Sequence, residues 1–142
     1  MKHIFKVFSL ALLVGDMFTL SSCKKDSQDL IIGKWSLVSA TTNDDMLTQI
    51  YPMLIDHMTC EFTEDGTWTE TANTGVPEID KWFNVTTSYS VDGNKIIIDN
   101  KDDELTNITI DELTKNSLTI TQITETVNGV PTATATEKYK KI

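Results

Sequence analysis

From Gly33 to the C-terminus, apolar and polar residues alternate with a period of two, and threonine often fills the polar positions. In TWTETA (residues 67–72), for example, Trp68 alternates with three threonines. Successive side chains of a β-strand point to opposite faces, so this pattern turns one face to a core and the other to water. The chain is therefore predicted to consist mainly of half-buried strands.

Eight segments carry this alternation, and short polar turns separate most of them. The predicted strands are GKWSLVSA (33–40), TCEFT (59–63), TWTETA (67–72), VTTSYSV (85–91), KIIID (95–99), LTNITIDEL (105–113), SLTITQITETV (117–127) and TATATEKYK (132–140). Asp92-Gly93 is a strong hairpin signal, and a change of apolar parity along the seventh strand predicts a β-bulge. Short strands joined mostly by hairpins favour a meander that closes into a barrel or a sandwich.

One segment, NDDMLTQIYPMLIDHM (43–58), departs from the alternation. Its apolar residues recur at helical spacing, namely Leu47, Ile50, Tyr51, Leu54 and Met58. Asn43 is a suitable N-cap, and Pro52 is expected to end or kink the helix, or to open a second turn. The sequence thus predicts one short broken helix between the first and second strands.

The N-terminus has the three-part layout of a secretory signal, with basic residues, an apolar stretch from Val7 to Val14 and then small residues. This stretch is much shorter than the ~20 apolar residues of a membrane-spanning helix. LSSC (20–23) resembles the lipobox of bacterial lipoproteins, which directs lipidation of the cysteine and cleavage just before it. The resemblance implies a signal peptide at 1–22, a lipidated Cys23 with its tether at 23–32, and one domain at 33–142.

The alternative is that Cys23 is an ordinary thiol after an ordinary signal peptide. In the lipoprotein interpretation, palmitate and further acyl chains hold the protein in the bacterial cell envelope, at the outer membrane, facing the periplasm or the surface. Two or more chains are needed for stable anchoring. With Cys23 lipidated, only Cys60 is left, which excludes a disulfide framework within the monomer.

Charge narrows the range of partners. The chain has a formal net charge of −9 and no arginine. Nucleic-acid binding needs a basic face of clustered lysine and arginine, so that class is excluded. An acidic surface is also not attracted to anionic lipids, so the predicted contact with the membrane is the N-terminal lipid itself.

The sequence shows no constellation typical of an enzyme, a cofactor site or a metal site. His57 and Cys60 lie three residues apart, but they span a predicted junction between helix and strand and have no recognisable third group. The acidic run Asp99–Glu104 lacks the glycine and the spacing of a calcium loop. We therefore predict a non-catalytic protein without cofactor or metal, and a solvated loop at the acidic run.

Three stretches resemble the lipocalin-like lipoproteins of bacteria: IIGKWSLVS (31–39), FTEDGTWTET (62–71) and YSVDGNKIII (89–98). Gly33 and Trp35 match the Gly-x-Trp of the lipocalin first strand, in which the Trp plugs the closed end of the barrel. The resemblance implies an eight-stranded up-and-down antiparallel barrel. It also implies a basic residue of the last strand over that Trp; arginine is absent, and Lys138 or Lys140 is predicted to take its place through its apolar stem.

An eight-stranded barrel either fills its interior with side chains or holds one small ligand. The candidate ligand-binding residues are Trp68, Glu70 and Tyr89 inside the barrel, and Trp82, Phe83 and Met53 at its mouth. Ala133 and Ala135 leave space on the last strand. We predict binding of a small hydrophobic ligand in the barrel or at its mouth.

The alternative is a filled barrel, in which large side chains such as Phe62 occupy the space opposite the alanines. The protein would then be a structural or protein-interaction module of the envelope. Its exposed Trp82-Phe83 pair would meet a protein partner, which the sequence does not identify.

Replacing the predicted lipidation site, Cys23→Ser, should release the protein into the soluble fraction or leave it unprocessed, because the thiol is the only acceptor for the lipid. Fractionation and labelling with palmitate measure this. A variant that stays in the membrane fraction and still carries label would contradict the anchor.

Overall fold

The computed structural model describes residues 27–98 and 108–142, and within them the chain forms a closed antiparallel barrel. The strands are β1 (Gly33–Thr42), β2 (Met58–Phe62), β3 (Thr67–Ala72), β4 (Val85–Asp92), β5 (Lys95–Ile98), β6 (Ile108–Leu113), β7 (Ser117–Val127) and β8 (Val130–Lys141). Each strand pairs with the next, and β8 closes the ring on β1. The prediction of an eight-stranded up-and-down barrel is confirmed.

In the described part of the chain, three helical segments accompany the strands: α1 (27–31), α2 (Asp45–Leu54) and α3 (Pro77–Phe83). The helix predicted between the first two strands is present as α2, but it is not broken, since it runs through Pro52 and ends two residues later. Helix α3 was not predicted, because its seven residues lie in a stretch interpreted as a loop.

The N-cap of α2 is Asp44 and not Asn43 as predicted. The Asp44 carboxylate accepts hydrogen bonds from the backbone N–H groups of Met46 and Leu47, at 3.0 and 3.1 Å. Asn43 instead binds the backbone of β8, because its side-chain oxygen accepts from Thr134 N–H at 2.8 Å. These two neighbouring side chains fix the passage from β1 into α2 against the last strand.

The β7–β8 hairpin accounts for the parity change predicted along β7. Its register shifts between Ile123 and Thr126, so the predicted bulge is present. The hairpin turns at Asn128 and Gly129, both with positive φ, at 53° and 75°. Two such residues suit the two-residue turn whose twist matches that of the flanking strands.

Aromatic side chains fill one end of the barrel, which we call the closed end. The Phe62 ring stacks on Trp68 with centroids 5.3 Å apart and meets Tyr89 edge to face at 5.0 Å. The Tyr89 hydroxyl donates to the backbone oxygen of Thr63 at 2.9 Å. The closed end is therefore a packed aromatic core in which the Tyr89 hydroxyl has a hydrogen-bond partner.

Trp35 is completely buried at this end. It is held by the segment that precedes β1 and by the last residues of β8. Its indole N–H donates to the backbone oxygen of Ile31 in α1 at 2.8 Å. The Nζ atom of Lys141 lies 5.0 Å from the centroid of the Trp35 ring and donates to the oxygen of Leu30 at 3.2 Å. Both donors satisfy carbonyl groups that the end of a helix leaves without partners.

The basic residue over Trp35 is thus Lys141, and the prediction of Lys138 or Lys140 is wrong. Both of these lysines are exposed, since their side chains share the outward parity of β8. Lys141 pairs with Trp35 in the β1–β8 register, which places its stem beside the ring.

Gly33→Ala should destabilise the fold by about 2–3 kcal/mol, because Gly33 has a φ of +134° and a Cβ there would lie 2.6 Å from Cε of Lys141. Gly75→Ala is the matched control. Gly75 also has a positive φ, of +82°, but no atom lies within 4 Å of the Cβ position, so a loss of about 1 kcal/mol is expected. Chemical denaturation measures both, and equal losses would contradict the close approach.

Candidate functional site

The barrel has two cavities, both partly open to solvent, and one of them borders the aromatic closed end at Trp68. The strand cavity has a volume of about 280 Å³ and is lined by Trp68, Glu70, Val85, Thr86, Thr87, Ile98, Ile108 and Gln122. The rim cavity has about 250 Å³ and is lined by Leu47, Tyr51, Met58, Glu70, Trp82, Phe83, Gln122, Ile123, Thr124 and Glu137. Glu70 and Gln122 belong to both walls, so the two cavities meet at a polar boundary.

A buried carboxylate, Glu137, lies beside that boundary. Its side chain is 1% exposed. Oε1 accepts from the Tyr51 hydroxyl at 2.6 Å and from Gln122 Nε2 at 3.0 Å, and Oε2 accepts from the Tyr139 hydroxyl at 2.7 Å. Three donors on two oxygens form a set suited to an ionised carboxylate.

Burial and these hydrogen bonds act on Glu137 in opposite directions. Burial is the larger effect and raises the pKa of Glu137 overall, and the hydrogen bonds from Tyr51, Tyr139 and Gln122 offset only part of that rise. The pKa of the Tyr51 hydroxyl is raised by burial and by the charge of Glu137, and that of Tyr139 is raised for the same two reasons. Both tyrosines are therefore neutral donors at physiological pH.

Glu70, the second carboxyl group at the boundary, differs from Glu137 in its hydrogen bonding. Within the described residues nothing hydrogen-bonds to its carboxyl group. Its side chain is partly accessible, and it lines both cavities. Burial, followed by the charge of Glu137, raises the pKa of Glu70 to about 8, so this acid is mostly protonated at neutral pH.

The polar groups at the boundary come from inward-facing positions of β3, β7 and β8 and from helix α2. On β8, Ala133, Ala135, Glu137 and Tyr139 alternate with outward residues, and all four are buried. Gln122 faces Ala135 across the β7–β8 pair. Tyr51 comes from α2, whose buried face carries Leu47, Ile50, Tyr51 and Leu54.

Trp68 and Cys60 lie beside the strand cavity and the polar boundary. The indole nitrogen of Trp68 is the one buried side-chain polar atom among the described residues that has no hydrogen-bond partner. Cys60 is buried on β2 opposite Glu70. Burial, together with the charges of Glu70 and Glu137, raises the pKa of its thiol well above the ordinary value, which makes it a poor nucleophile.

The structure separates the predicted ligand-binding residues into two groups. Trp68 and Glu70 line the strand cavity, while Trp82 and Phe83 line the rim cavity. Tyr89 packs in the closed end and lines neither cavity. Met53 is on the outer side of α2, 37% exposed.

The other residues singled out from the sequence are Cys23, the acidic run, His57 and Cys60. Cys23 and the acidic run Asp99–Glu104 lie outside the described residues. His57 is exposed, whereas Cys60 is inside the barrel. Among residues 27–98 and 108–142, no group of three His, Cys, Asp or Glu side chains is placed to hold a metal ion.

Sequence reasoning missed four residues of the polar cluster: Tyr51, Gln122, Glu137 and Tyr139. A signal for two of them was present, because Glu137 and Tyr139 continue the inward parity of Ala133 and Ala135. Tyr51 was recognised only as part of an apolar helix face. The contact of its hydroxyl with Glu137 joins residues 86 positions apart, which no local pattern indicates.

The closed meander, the buried Gly-x-Trp tryptophan under a C-terminal basic residue, and the internal cavities define a lipocalin-like barrel. Comparison with protein families matches residues 31–120 to the lipocalin-like domain. The chain belongs to this family, and its fold suggests that it binds a small hydrophobic ligand. A search of curated proteins gave no match.

In the part of the chain that the structure describes, none of the helices has the length and apolar character needed to cross a bilayer.

Glu70→Gln should change the dependence of stability on pH. The pKa of Glu70 is about 8 in the folded protein, against 4.5 as its ordinary value, so the folded state binds this proton more tightly than the unfolded chain. Its contribution to stability is therefore present below pH ~4.5 and is lost as the pH rises towards ~8. The substitution should remove about 2–4 kcal/mol of the decline between pH 5 and pH 9.

Urea denaturation across this pH range measures the effect. Glu61→Gln is the matched control, because Glu61 is exposed on the neighbouring strand β2. If the stability curves of Glu70→Gln and the unsubstituted protein stay parallel from pH 5 to pH 9, Glu70 does not titrate as described.

Proposed function

We propose that the chain is a lipid-anchored lipocalin-like protein of the bacterial cell envelope that binds a small hydrophobic ligand in the barrel, without catalysis. The observation that carries this proposal is the pair of cavities, each of about 250–280 Å³, inside a barrel whose opposite end is solidly packed. Pockets that bind small molecules have volumes of at least about 300 Å³. The two cavities together provide that space.

The walls of the strand cavity fit such a ligand. Val85, Ile98 and Ile108 supply aliphatic surface, and Trp68 supplies an aromatic face. A pocket that is mostly apolar, with a few polar groups to set orientation, is the usual form of a small-molecule site. The strand cavity is more polar than this, because Thr86, Thr87, Glu70 and Gln122 make up half of its lining residues.

Helix α3 forms part of the rim. It is tied to the preceding segment, because Asp80 accepts from the backbone N–H and the hydroxyl of Thr74, both at 2.7 Å. Asn84 accepts from the N–H of Ala72 at 2.8 Å. The 56% exposed Trp82 and the half-buried Phe83 are thus held at the edge of the rim cavity.

The anchor and the cavities would lie at opposite ends of the barrel. The chain enters at the closed end, where Trp35 and Lys141 bind the carbonyl groups of α1. A lipid on Cys23 would therefore hold the closed end nearest the bilayer and direct the rim away from it. This arrangement leaves the cavities accessible to a ligand from the aqueous side.

The alternative of a structural or protein-interaction module rests on the exposure of Trp82, which suits contact with a partner. The cavities favour ligand binding, because a barrel that serves only as a scaffold gains stability by filling its interior.

Thr87→Phe should abolish ligand binding by filling the strand cavity, which Thr87 lines. Titration with a hydrophobic dye, followed by tryptophan fluorescence, should show a loss of affinity of at least about tenfold. Ser88→Phe is the control, since Ser88 is the next residue of β4 and points outward. Equal dye binding by both variants would place the dye outside the barrel.

A further inference from the structure

The boundary between the two cavities presents hydrogen-bond acceptors to a ligand. The amide N–H of Gln122 is committed to Glu137 at 3.0 Å. The opposite orientation of this amide would place its oxygen against the carboxylate, which is repulsive. The side-chain oxygen of Gln122 is therefore left to accept, next to a Glu70 carboxyl group that has no partner within the described residues.

The described parts of the cavity walls carry two carboxyl groups, those of Glu70 and Glu137, and no basic side chain. Among the described residues that line the two cavities, none is a lysine, an arginine or a histidine. Glu137 is in the wall of the rim cavity and already accepts three hydrogen bonds. An anionic head group would meet the carboxyl group of Glu137 with no cation among the described lining residues to offset its own charge, and burying it would cost free energy.

On the basis of the proposed function, we propose that the ligand is a cationic amphiphile of the alkylamine class, with its ammonium group at Glu70 and Gln122 and its apolar body in the strand cavity. The ammonium group brings three donors and no acceptor. It therefore matches the two acceptors at the boundary, and the aliphatic residues of the strand cavity accommodate the chain.

Binding involves one proton. A protonated Glu70 releases its proton to the solvent, and its carboxylate then pairs with the ammonium group, which keeps all of its own protons. Within the described residues, the titratable groups that face Glu70 are Glu137 from β8, Tyr51 from α2, Tyr139 from β8 and Cys60 from β2. All are acids, so none competes with the ligand as a cation.

Because binding releases a proton, the affinity for the ligand should depend on pH. Since the pKa of Glu70 is about 8, the affinity for an alkylammonium should rise between pH 6 and pH 9. An alkyl carboxylate should show the opposite trend, because it enters such a site more easily in its neutral form.

The test uses three probes of equal chain length, octylammonium, octanol and octanoate, titrated into the whole protein by calorimetry at pH 6 and pH 8.5. We expect octylammonium to bind at least about tenfold more tightly than octanoate at pH 8.5. Glu70→Gln should weaken octylammonium about tenfold and leave octanol within about twofold. The exposed control Glu61→Gln should change neither.

Two outcomes would overturn this inference alone: octanoate binding as tightly as octylammonium, or Glu70→Gln leaving the affinity for octylammonium unchanged. In both cases binding that Thr87→Phe abolishes would still support a ligand site in the barrel. If none of the three probes binds the protein, the proposed function fails together with the inference.

Discussion

The buried carboxylate of Glu137 is the constraint on which the interior of this barrel depends. A carboxyl group in a protein interior is tolerated only when hydrogen bonds replace the water that it loses. Tyr51, Gln122 and Tyr139 supply them, at 2.6–3.0 Å. Because Tyr51 belongs to α2, this requirement holds the helix over the barrel, and because Gln122 belongs to β7, it orients an amide at the boundary between the cavities.

The barrel is consequently divided along its length. At the closed end, Trp35 is buried and its N–H is satisfied by α1, while Phe62 is in contact with two other aromatic rings. Beyond the polar cluster, the strands no longer fill the interior. The dense end provides the cohesion that allows the other end to remain open, since empty space in a core costs stability.

Two-residue periodicity was enough to predict the eight strands, because a strand with one buried face repeats every two residues wherever it occurs. Gly33 and Trp35 identified the closed end through their resemblance to the Gly-x-Trp of the lipocalin first strand. Capping by Asp44 in place of Asn43, and the cover of Trp35 by Lys141 in place of Lys138 or Lys140, depend on shifts of one or a few residues that a pattern does not resolve. The bulge between β7 and β8 is different, because it changes the parity of the apolar residues along β7 and could be predicted from the sequence.

The site was predictable only in part, since Trp68 and Glu70 follow from strand parity, whereas the contact of Tyr51 with Glu137 arises from tertiary packing. The presence of a glutamate at position 70 is not explained by the stability of the fold. Its carboxyl group gains no hydrogen bond within the described residues, and burial and the charge of Glu137 both oppose its ionisation. A leucine or a methionine at this position would remove that cost and add apolar contact. Polar groups in a protein interior normally have hydrogen-bond partners. An exception in the wall of two cavities is expected where function, and not folding, determines which residue is present.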